Sequence, residues 1–233
     1  MADSPRYAIY YAPQSGGALD RFGASLLGYD AYRGEELPFP DGMASAVSDW
    51  RELTQDPRKY GFHATLKAPL SLAAGKNEAE LLAACTSFAE TARSIPIFTP
   101  VVSAISDFIA IVPAKRSAEL EALAADCVRA FDSFRAPLTA EGRARRNPSK
   151  LTPLQCDYLD RWGYPYVMEE FRFHMTLTGR LPSERRATIV TMLQARFARL
   201  EMLSLAIDRI ALFRQDSPSA RFEIIGQWAL RAR

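Results

Sequence analysis

Short segments of apolar, β-branched and aromatic residues are spread along the whole chain and predict strands. They cover residues 6–12, 60–66, 97–105, 108–112, 171–178, 203–213 and 221–230. The third and fourth segments are separated only by Ser106 and Asp107, which predicts a hairpin. In the last segment, alternation predicts four apolar residues on one face of the strand: Phe222, Ile224, Trp228 and Leu230.

Between these segments, apolar residues recur at spacings of three and four, which predicts helices. The predicted helices cover about residues 19–28, 77–92, 117–134, 152–162 and 183–200. Two of them begin at a capping box, which Asn77 forms with Glu80 and Thr152 forms with Gln155. These two helix starts are therefore specified by local sequence alone.

The order of the elements predicts the fold class. Strands and helices are interspersed and several strands are joined by hairpins, which favours an α+β fold with antiparallel or mixed sheets over a doubly wound parallel sheet. Residues 32–56 match no pattern, and the basic segment 141–150 is predicted to be a loop. The sequence contains no glycine-rich phosphate loop of the dinucleotide-binding or P-loop type.

Two segments of the chain match each other closely. Residues 60–70 read YGFHATLKAPL and residues 171–181 read FRFHMTLTGRL. The chain contains only two histidines, His63 and His174, which lie 111 positions apart and occupy the same place in their segments. Threonine and leucine follow each histidine at the same distances, so an internal duplication is the simplest explanation.

The spacing of histidine and threonine places them on one face of a strand. Side chains two positions apart point the same way and are about 6.6 Å apart along the strand. The apolar residues between them point to the other face, so each segment is predicted to bury one face and present its histidine and threonine on the other. If the two segments pack about a pseudo-two-fold axis, the two pairs face each other across a cleft.

Two imidazoles facing each other are suited to phosphoester cleavage. A neutral imidazole can accept the proton of an attacking water, and an imidazolium can protonate the leaving oxygen, because histidine titrates near neutral pH. Threonine hydroxyls can donate hydrogen bonds to phosphate oxygens. We expect His63 and His174 to be the catalytic acid–base pair, in an order that the sequence leaves open, and Thr65 and Thr176 to bind the phosphate.

Three further residues are candidate substrate ligands. Lys67 and Arg172 have the parity of the histidines and are expected to add positive charge, with a solvated surface role as the alternative. Tyr10 lies on the other face of its strand from Tyr7 and Tyr11, and is expected either to bind the substrate or to pack. The segment WGYPYV is expected to pack after a helix end, with a place in the ligand wall as the alternative.

Composition and charge restrict the partners and the ligands. The chain has 233 residues, 48% hydrophobic and 24% charged, with a net charge of +2, which is typical of a globular protein and argues against stable DNA binding. The three cysteines have no CxxC spacing, and no leader or membrane-spanning run is recognised, so we expect a cytoplasmic protein without membrane contact. The reaction scheme needs no cofactor and no metal, and the residues lack zinc-ligand spacing.

The paired H-x-T motifs, each with an upstream aromatic residue, resemble the two-histidine (2H) phosphoesterase superfamily, which includes RNA 2′,3′-cyclic phosphodiesterases and the 2′-5′ RNA ligases. The segments RYAIYYAP, RKYGFHATLKAPL, WGYPYV and FRFHMTLTGRL are most similar to the bacterial subfamily of phosphonate-metabolism proteins. The resemblance spans nearly the whole chain. It implies one bilobal domain over residues 1–233, in which two pseudo-symmetric lobes, each a sheet backed by helices, enclose an active cleft lined by both motifs.

The expected activity is metal-independent hydrolysis of a cyclic phosphodiester, either 2′,3′-cyclic or on a sugar. The partners implied are a small phosphodiester or nucleotide substrate and short RNA. One alternative is a non-catalytic protein that binds nucleotides or sugar phosphates in the same cleft. Another is an enzyme that processes RNA 2′-5′ ends, which predicts salt-dependent RNA binding and is disfavoured by the modest net charge.

Overall fold

The structure is a computed structural model and describes residues 4–233. Residues 1–3, which the predicted domain range includes, lie outside the described residues. The strands are β1 (Arg6–Tyr11), β2 (Tyr29–Asp30), β3 (Glu35–Glu36), β4 (Ala64–Ser71), β5 (Ile97–Phe98), β6 (Pro100–Ile105), β7 (Phe108–Pro113), β8 (Met175–Thr176), β9 (Leu205–Ala206), β10 (Arg209–Gln215) and β11 (Glu223–Ala229).

The helices range from one turn to 16 residues. They are α1 (Ala18–Leu27), α2 (Met43–Ala46), α3 (Trp50–Leu53), α4 (Gln55–Arg58), α5 (Glu78–Glu90), α6 (Ala118–Phe131), α7 (Ala140–Ala144), α8 (Pro153–Trp162) and α9 (Ser183–Ala198). Short 3₁₀ turns cover Asp132–Phe134, Pro148–Lys150 and Met168–Glu170. Within residues 4–233, no helix combines the length and apolar character needed to cross a bilayer.

Seven strands form one antiparallel sheet in the order β11-β10-β1-β4-β8-β7-β6. The predicted α+β class is therefore confirmed. The four strands β11-β10-β1-β4 join the three strands β8-β7-β6 through a single residue pair, Ala64 with Met175. The two predicted lobes correspond to these two groups of strands, which meet at the β4–β8 junction.

The main hydrophobic core lies between one face of the sheet and three long helices. Helix α5 packs on β10 and β11, α6 on β4, and α9 on β6 and β7. Each of the three helices contributes an almost completely buried leucine to this core: Leu81 in α5, Leu123 in α6 and Leu193 in α9. The opposite face of β1 contributes to a smaller aromatic cluster with Tyr10, Phe213 and other residues of β10, β11 and their connections.

The helices with capping signals are confirmed in detail. The Asn77 side chain accepts a hydrogen bond from the Glu80 amide at 2.9 Å, and the Glu80 carboxylate accepts one from the Asn77 amide at 3.1 Å. Thr152 and Gln155 make the same reciprocal pair at the start of α8. The loop predicted at 141–150 is corrected, because Thr139 caps a short helix that begins at Ala140.

Two predicted strands begin later than expected, directly after a histidine whose ring is hydrogen-bonded to a backbone carbonyl. The segment predicted at 60–66 enters the sheet only at Ala64, and the one predicted at 171–178 pairs only over Met175–Thr176. In each, the carbonyl two residues before the histidine accepts a hydrogen bond from the histidine ring. This late start is the same in both motifs, but β4 continues to Ser71, beyond its predicted end, whereas β8 ends at Thr176.

Two predictions near the C-terminus are also corrected. The strand predicted at 203–213 is divided into β9 and β10, which belong to different sheets. In β11, Ile224 pairs with Phe213 and Gly226 pairs with Leu212, so Ile225 is an extra residue that forms a β-bulge. The bulge breaks the alternation, and Trp228 packs against the main core rather than on the face of Ile224.

Candidate active site

The β4–β8 junction brings the two histidine motifs together. Ala64 and Met175, the paired residues of the junction, each lie between the histidine and the threonine of their own motif. Continuing this antiparallel register by one residue in each direction places the histidine of each motif beside the threonine of the other. Paired residues share a face of a sheet, so four polar side chains lie on one face: His63, Thr65, His174 and Thr176.

The register also sets the spacing of the two imidazoles. In an antiparallel pair, directly opposite residues are about 4.5–5.5 Å apart and diagonal neighbours about 7–8 Å. His63 and His174 are diagonal neighbours in this register. A phosphate group placed between them can therefore be contacted by both rings.

Each imidazole is fixed by the carbonyl two residues before it. Nδ1 of His63 donates to the Gly61 carbonyl at 2.9 Å, and Nδ1 of His174 donates to the Arg172 carbonyl at 2.7 Å. A carbonyl can only accept, so the proton of the neutral ring is on Nδ1 and the lone pair is on Nε2. Nε2 is therefore the atom that takes up or releases a proton in both motifs. The Thr65 hydroxyl lies 3.4 Å from Nε2 of His63.

Burial lowers the pKa of both histidines. The pKa of His63 falls from 6.5 to about 4, chiefly through desolvation, and the nearby charge of His174 lowers it further while the Gly61 carbonyl opposes the shift. Desolvation also lowers the pKa of His174, against the effect of the Arg172 carbonyl. Both rings are consequently neutral at pH 7 in the free protein. An anion bound between them raises both pKa values, because it favours the imidazolium form.

His63 lies on an aromatic surface. The Tyr10 ring is stacked on it, with ring centroids 3.9 Å apart and an interplanar angle of 20°. The rings of Phe213 and Tyr60 follow at 5.9 and 6.1 Å. These contacts both orient the imidazole and keep water from it.

His174 has a less enclosed setting. Its aromatic neighbour is Phe108, at 5.6 Å and tilted by 60°. Ala110 of β7 is paired with Thr176 and takes the place that Tyr10 has in the first motif. The two imidazoles thus share a hydrogen-bonding pattern and differ in what lies beneath them.

A cavity of about 410 Å³ adjoins Thr65 and His174. Its wall comes from the β6–β7 hairpin and the segment after α8, and is rich in aromatic residues that include Phe108, Tyr164 and Phe171. The volume is within the range of small-molecule sites. In the part of the chain that the structure describes, no cluster of three or more His, Cys, Asp or Glu side chains is arranged to hold a metal ion.

A family model described as "Protein of unknown function (DUF1045)" matches residues 65–223, which is more than half of the chain. The chain belongs to the DUF1045 family. A protein of Janthinobacterium sp. (strain Marseille) named "Ribose 1,5-bisphosphate phosphokinase PhnN" is 37% identical over 93% of this chain and 49% of its own length. A Laribacter hongkongensis (strain HLHK9) protein of the same name is 29% identical over 94% and 50%. The DUF1045 chain thus spans about half the length of these curated relatives.

The chain also aligns with a solved structure, that of E. coli LigT in its apo form. The alignment covers 98% of this chain and 99% of that chain, at 14% identity and a TM-score of 0.42.

Two of the predicted ligands of the DUF1045 protein flank its histidines. Arg172 is exposed and lines the cavity beside His174. Tyr10 is 1% exposed and lies beneath His63, so its ring supports the imidazole. The segment that carries Tyr164 forms part of the cavity wall, which was the alternative interpretation of WGYPYV.

Lys67 lies on the other face of β4 from Thr65. Tyr10 is paired with Thr65, but Ile9 is paired with Lys67, so Leu66 is an extra residue in β4 and forms a β-bulge. The extra residue reverses the alternation, and Lys67 points toward the main core with 3% of its surface exposed. The predicted parity of Lys67 with the histidines is wrong for this reason, and its ammonium is paired with a carboxylate of the core side.

Sequence reasoning missed the backbone groups that hold the histidines. A carbonyl acceptor leaves no mark in the choice of residue at Arg172. At Gly61 a signal was present, because this glycine has φ of +73° and a Cβ there would lie 2.7 Å from the Ala31 Cβ. Only glycine fits this position without strain. Gly61 therefore belongs to the site as the residue that presents the carbonyl to His63.

Proposed function

We propose that this DUF1045 protein is a phosphoesterase that hydrolyses a cyclic phosphodiester with its two imidazoles and without a metal. One observation carries the proposal: the register at the β4–β8 junction sets two histidines and two threonines on one face. With the rings diagonal and the lone pair on Nε2 in both, a single phosphorus can be approached from two sides.

His63 is assigned as the general base. Its pKa of about 4 keeps the ring neutral over most of the pH range in which proteins work. The stacked Tyr10 ring and the Gly61 carbonyl hold the ring so that Nε2 points away from the backbone. Nε2 accepts a proton from the water whose oxygen attacks phosphorus.

His174 is assigned as the general acid. Substrate binding brings negative charge to its ring and raises its pKa, which favours the imidazolium form. As the bond from phosphorus to the leaving oxygen breaks, Nε2–H of His174 donates its proton to that oxygen. In a cyclic ester the leaving oxygen stays on the same molecule, so the product is a phosphomonoester with a free neighbouring hydroxyl.

The threonines and Arg172 complete the proposed site. Thr65 and Thr176 donate hydrogen bonds to the non-bridging oxygens, where negative charge develops in the transition state. Arg172 lies at the edge of the cavity and attracts the anionic substrate. The cavity itself takes the organic group that carries the cyclic phosphate.

Two substrate classes follow from this proposal. The first is nucleoside 2′,3′-cyclic phosphates, since an aromatic wall suits a planar base. The second is cyclic phosphates of ribose, because the relatives are named for a ribose bisphosphate and this chain matches only half of them. The sequence has no P-loop motif, so the phosphokinase activity in that name is not proposed for this chain.

A turnover screen tests the proposal. Nucleoside 2′,3′-cyclic phosphates and a cyclic phosphate of ribose 5-phosphate are incubated with the protein, and ³¹P NMR follows the phosphodiester and phosphomonoester signals. Hydrolysis that persists in EDTA and is lost in His63→Ala and His174→Ala supports the proposal. Activity that EDTA removes, or that both variants retain, would end it. Tight binding without turnover would favour the non-catalytic alternative.

A further inference from the structure

Lys67 is a buried charge that the proposed reaction does not use. Its Nζ donates to Oδ1 of Asp132 at 2.6 Å and to the Val128 carbonyl at 3.2 Å, both at the end of α6. Burying an ion pair seldom stabilises a fold, and apolar replacements are often neutral or favourable. A better-attested use of such a pair is to specify one register over another.

The ion pair coincides with the β-bulge at Leu66, one of two register shifts between β4 and β1. In a regular ladder Ile9 would be paired with Leu66, and Lys67 would share the face of the histidine and threonine; the observed partner of Ile9 is Lys67. A one-residue change in register turns the following side chains of a strand to the other face. Helix α6 packs on the main-core side of β4, so Lys67 reaches it only in the bulged register.

The carboxylate that receives Lys67 is itself held in place. Arg135 donates to both oxygens of Asp132, from Nε at 2.9 Å and from Nη2 at 3.3 Å. The same guanidinium donates to the Arg161 carbonyl at 3.0 Å, near the end of α8. The segment after α8 forms part of the cavity wall, so this cluster connects the bulge, α6 and the wall.

We propose that Lys67 is a positioning residue: its ion pair with Asp132 fixes the β-bulge and thereby keeps the first histidine and threonine on the cleft face. The consequence for turnover rests on the proposed function. The consequence for the position of the His63 ring does not, because Tyr10 stacks on that ring whether or not a substrate is turned over.

The ring position is tested by NMR of Lys67→Met, with the exposed Lys76→Met as the matched control. The protein has only two histidines, so His174→Asn assigns the signals. We expect the His63 ring protons, shifted upfield by Tyr10, to move toward ordinary imidazole positions in Lys67→Met and to stay in place in Lys76→Met. Unchanged His63 signals in folded Lys67→Met would overturn the proposal. If Lys67→Met does not fold, the His63 ring signals are measured in Asp132→Asn, with the same expected result.

Kinetics separate positioning from general stability. Lys67→Met is expected to lower kcat about 10–100-fold, the cost of a small displacement of reacting groups, with KM changed less than about twofold. In a His63→Asn background the same substitution should change kcat less than about threefold, because an imidazole that is absent cannot be misplaced. Fully additive effects would contradict action through the first motif. If the wild-type protein turns over no cyclic phosphate, the proposed function fails and the ring signals alone decide the role of Lys67.

Discussion

The two halves of the site are built from one motif, and they differ in what lies around it. In the first half, the histidine stands at the start of an eight-residue strand that pairs with β1 and β8, and Tyr10 is stacked on its ring. In the second half, the strand has two residues and Ala110 occupies the corresponding position. The hydrogen bond from Nδ1 to the carbonyl two residues earlier is the same in both.

On the proposed function, this difference assigns the two halves of one reaction to the two copies of the motif. The hydrogen bond from Nδ1, which both halves share, fixes which nitrogen faces the cleft. The surroundings of the ring, which differ between the halves, set the pKa of that nitrogen. The more enclosed ring suits the base, since it remains neutral, and the other suits the acid. Substitutions that remove or transfer the unshared elements should therefore break the division of roles.

The largest effect is expected from removing each imidazole. His63→Asn and His174→Asn should each lower kcat/KM by about 10²–10⁴-fold, the usual contribution of a general acid or base. They should also remove opposite limbs of the pH profile, because the base must be neutral and the acid protonated. Rate measurements from pH 4 to 9 on both variants provide the test. Loss of the same limb in both would contradict the assignment.

The next effect concerns the ring beneath His63. Tyr10→Ala should destabilise the fold by about 3–5 kcal/mol, as for other buried aromatic residues, in urea unfolding. Water then reaches the imidazole, so the His63 pKa should rise from about 4 toward 6.5 in an NMR titration. Tyr10→Phe, which keeps the ring, should leave the pKa where it is. A low pKa in Tyr10→Ala would show that the stacked ring is not what excludes water.

A smaller effect is expected at the glycine that presents its carbonyl to His63. Gly61→Ala combines a positive φ with a Cβ 2.7 Å from the Ala31 Cβ, whereas Gly75→Ala has a positive φ and no atom within 4 Å. We expect about 1–2 kcal/mol of destabilisation from φ in both variants, and an additional loss of stability and of kcat only in Gly61→Ala. Equal losses of stability and of kcat in the two variants would show that Gly61 has no specific role in the site.

The smallest effect is expected from the arginine at the mouth of the cavity. Arg172→Ala should raise KM a few-fold with little change in kcat, because attraction of the substrate is the same in ground and transition states. The effect should shrink as salt is added. Arg180→Ala, an exposed arginine eight residues further on, is the control and should change neither constant. A change confined to kcat in Arg172→Ala would give this residue a different role.

The sequence predicted those features that depend on neighbouring residues. The capping boxes at Asn77 and Thr152 and the α+β class followed from local patterns, and the duplicated motif identified the residues that the sheet brings together. Prediction from the sequence failed where one inserted residue in a strand moves the following side chains to the other face of the sheet. At Lys67, a β-bulge reversed the face, and such a bulge depends on the partner strand and on α6 rather than on β4 itself.

The register of the β4–β8 junction was equally beyond the sequence. That pairing joins segments 111 positions apart, and it decides that each histidine faces the threonine of the other motif. The alternation within each motif predicted only that histidine and threonine share a face. Only the long-range pairing of β4 with β8 brings the side chains of the two motifs together.

The most direct test of the central claim is whether both imidazoles contact the same phosphorus. Orthovanadate, which adopts the five-coordinate geometry of phosphoryl transfer, can be titrated into the protein while the ring signals of both histidines are followed by NMR. We predict that one equivalent shifts the signals of His63 and His174 together, and that Thr65→Ala weakens both shifts in parallel. Saturation of one histidine while the other remains unchanged would contradict a shared site.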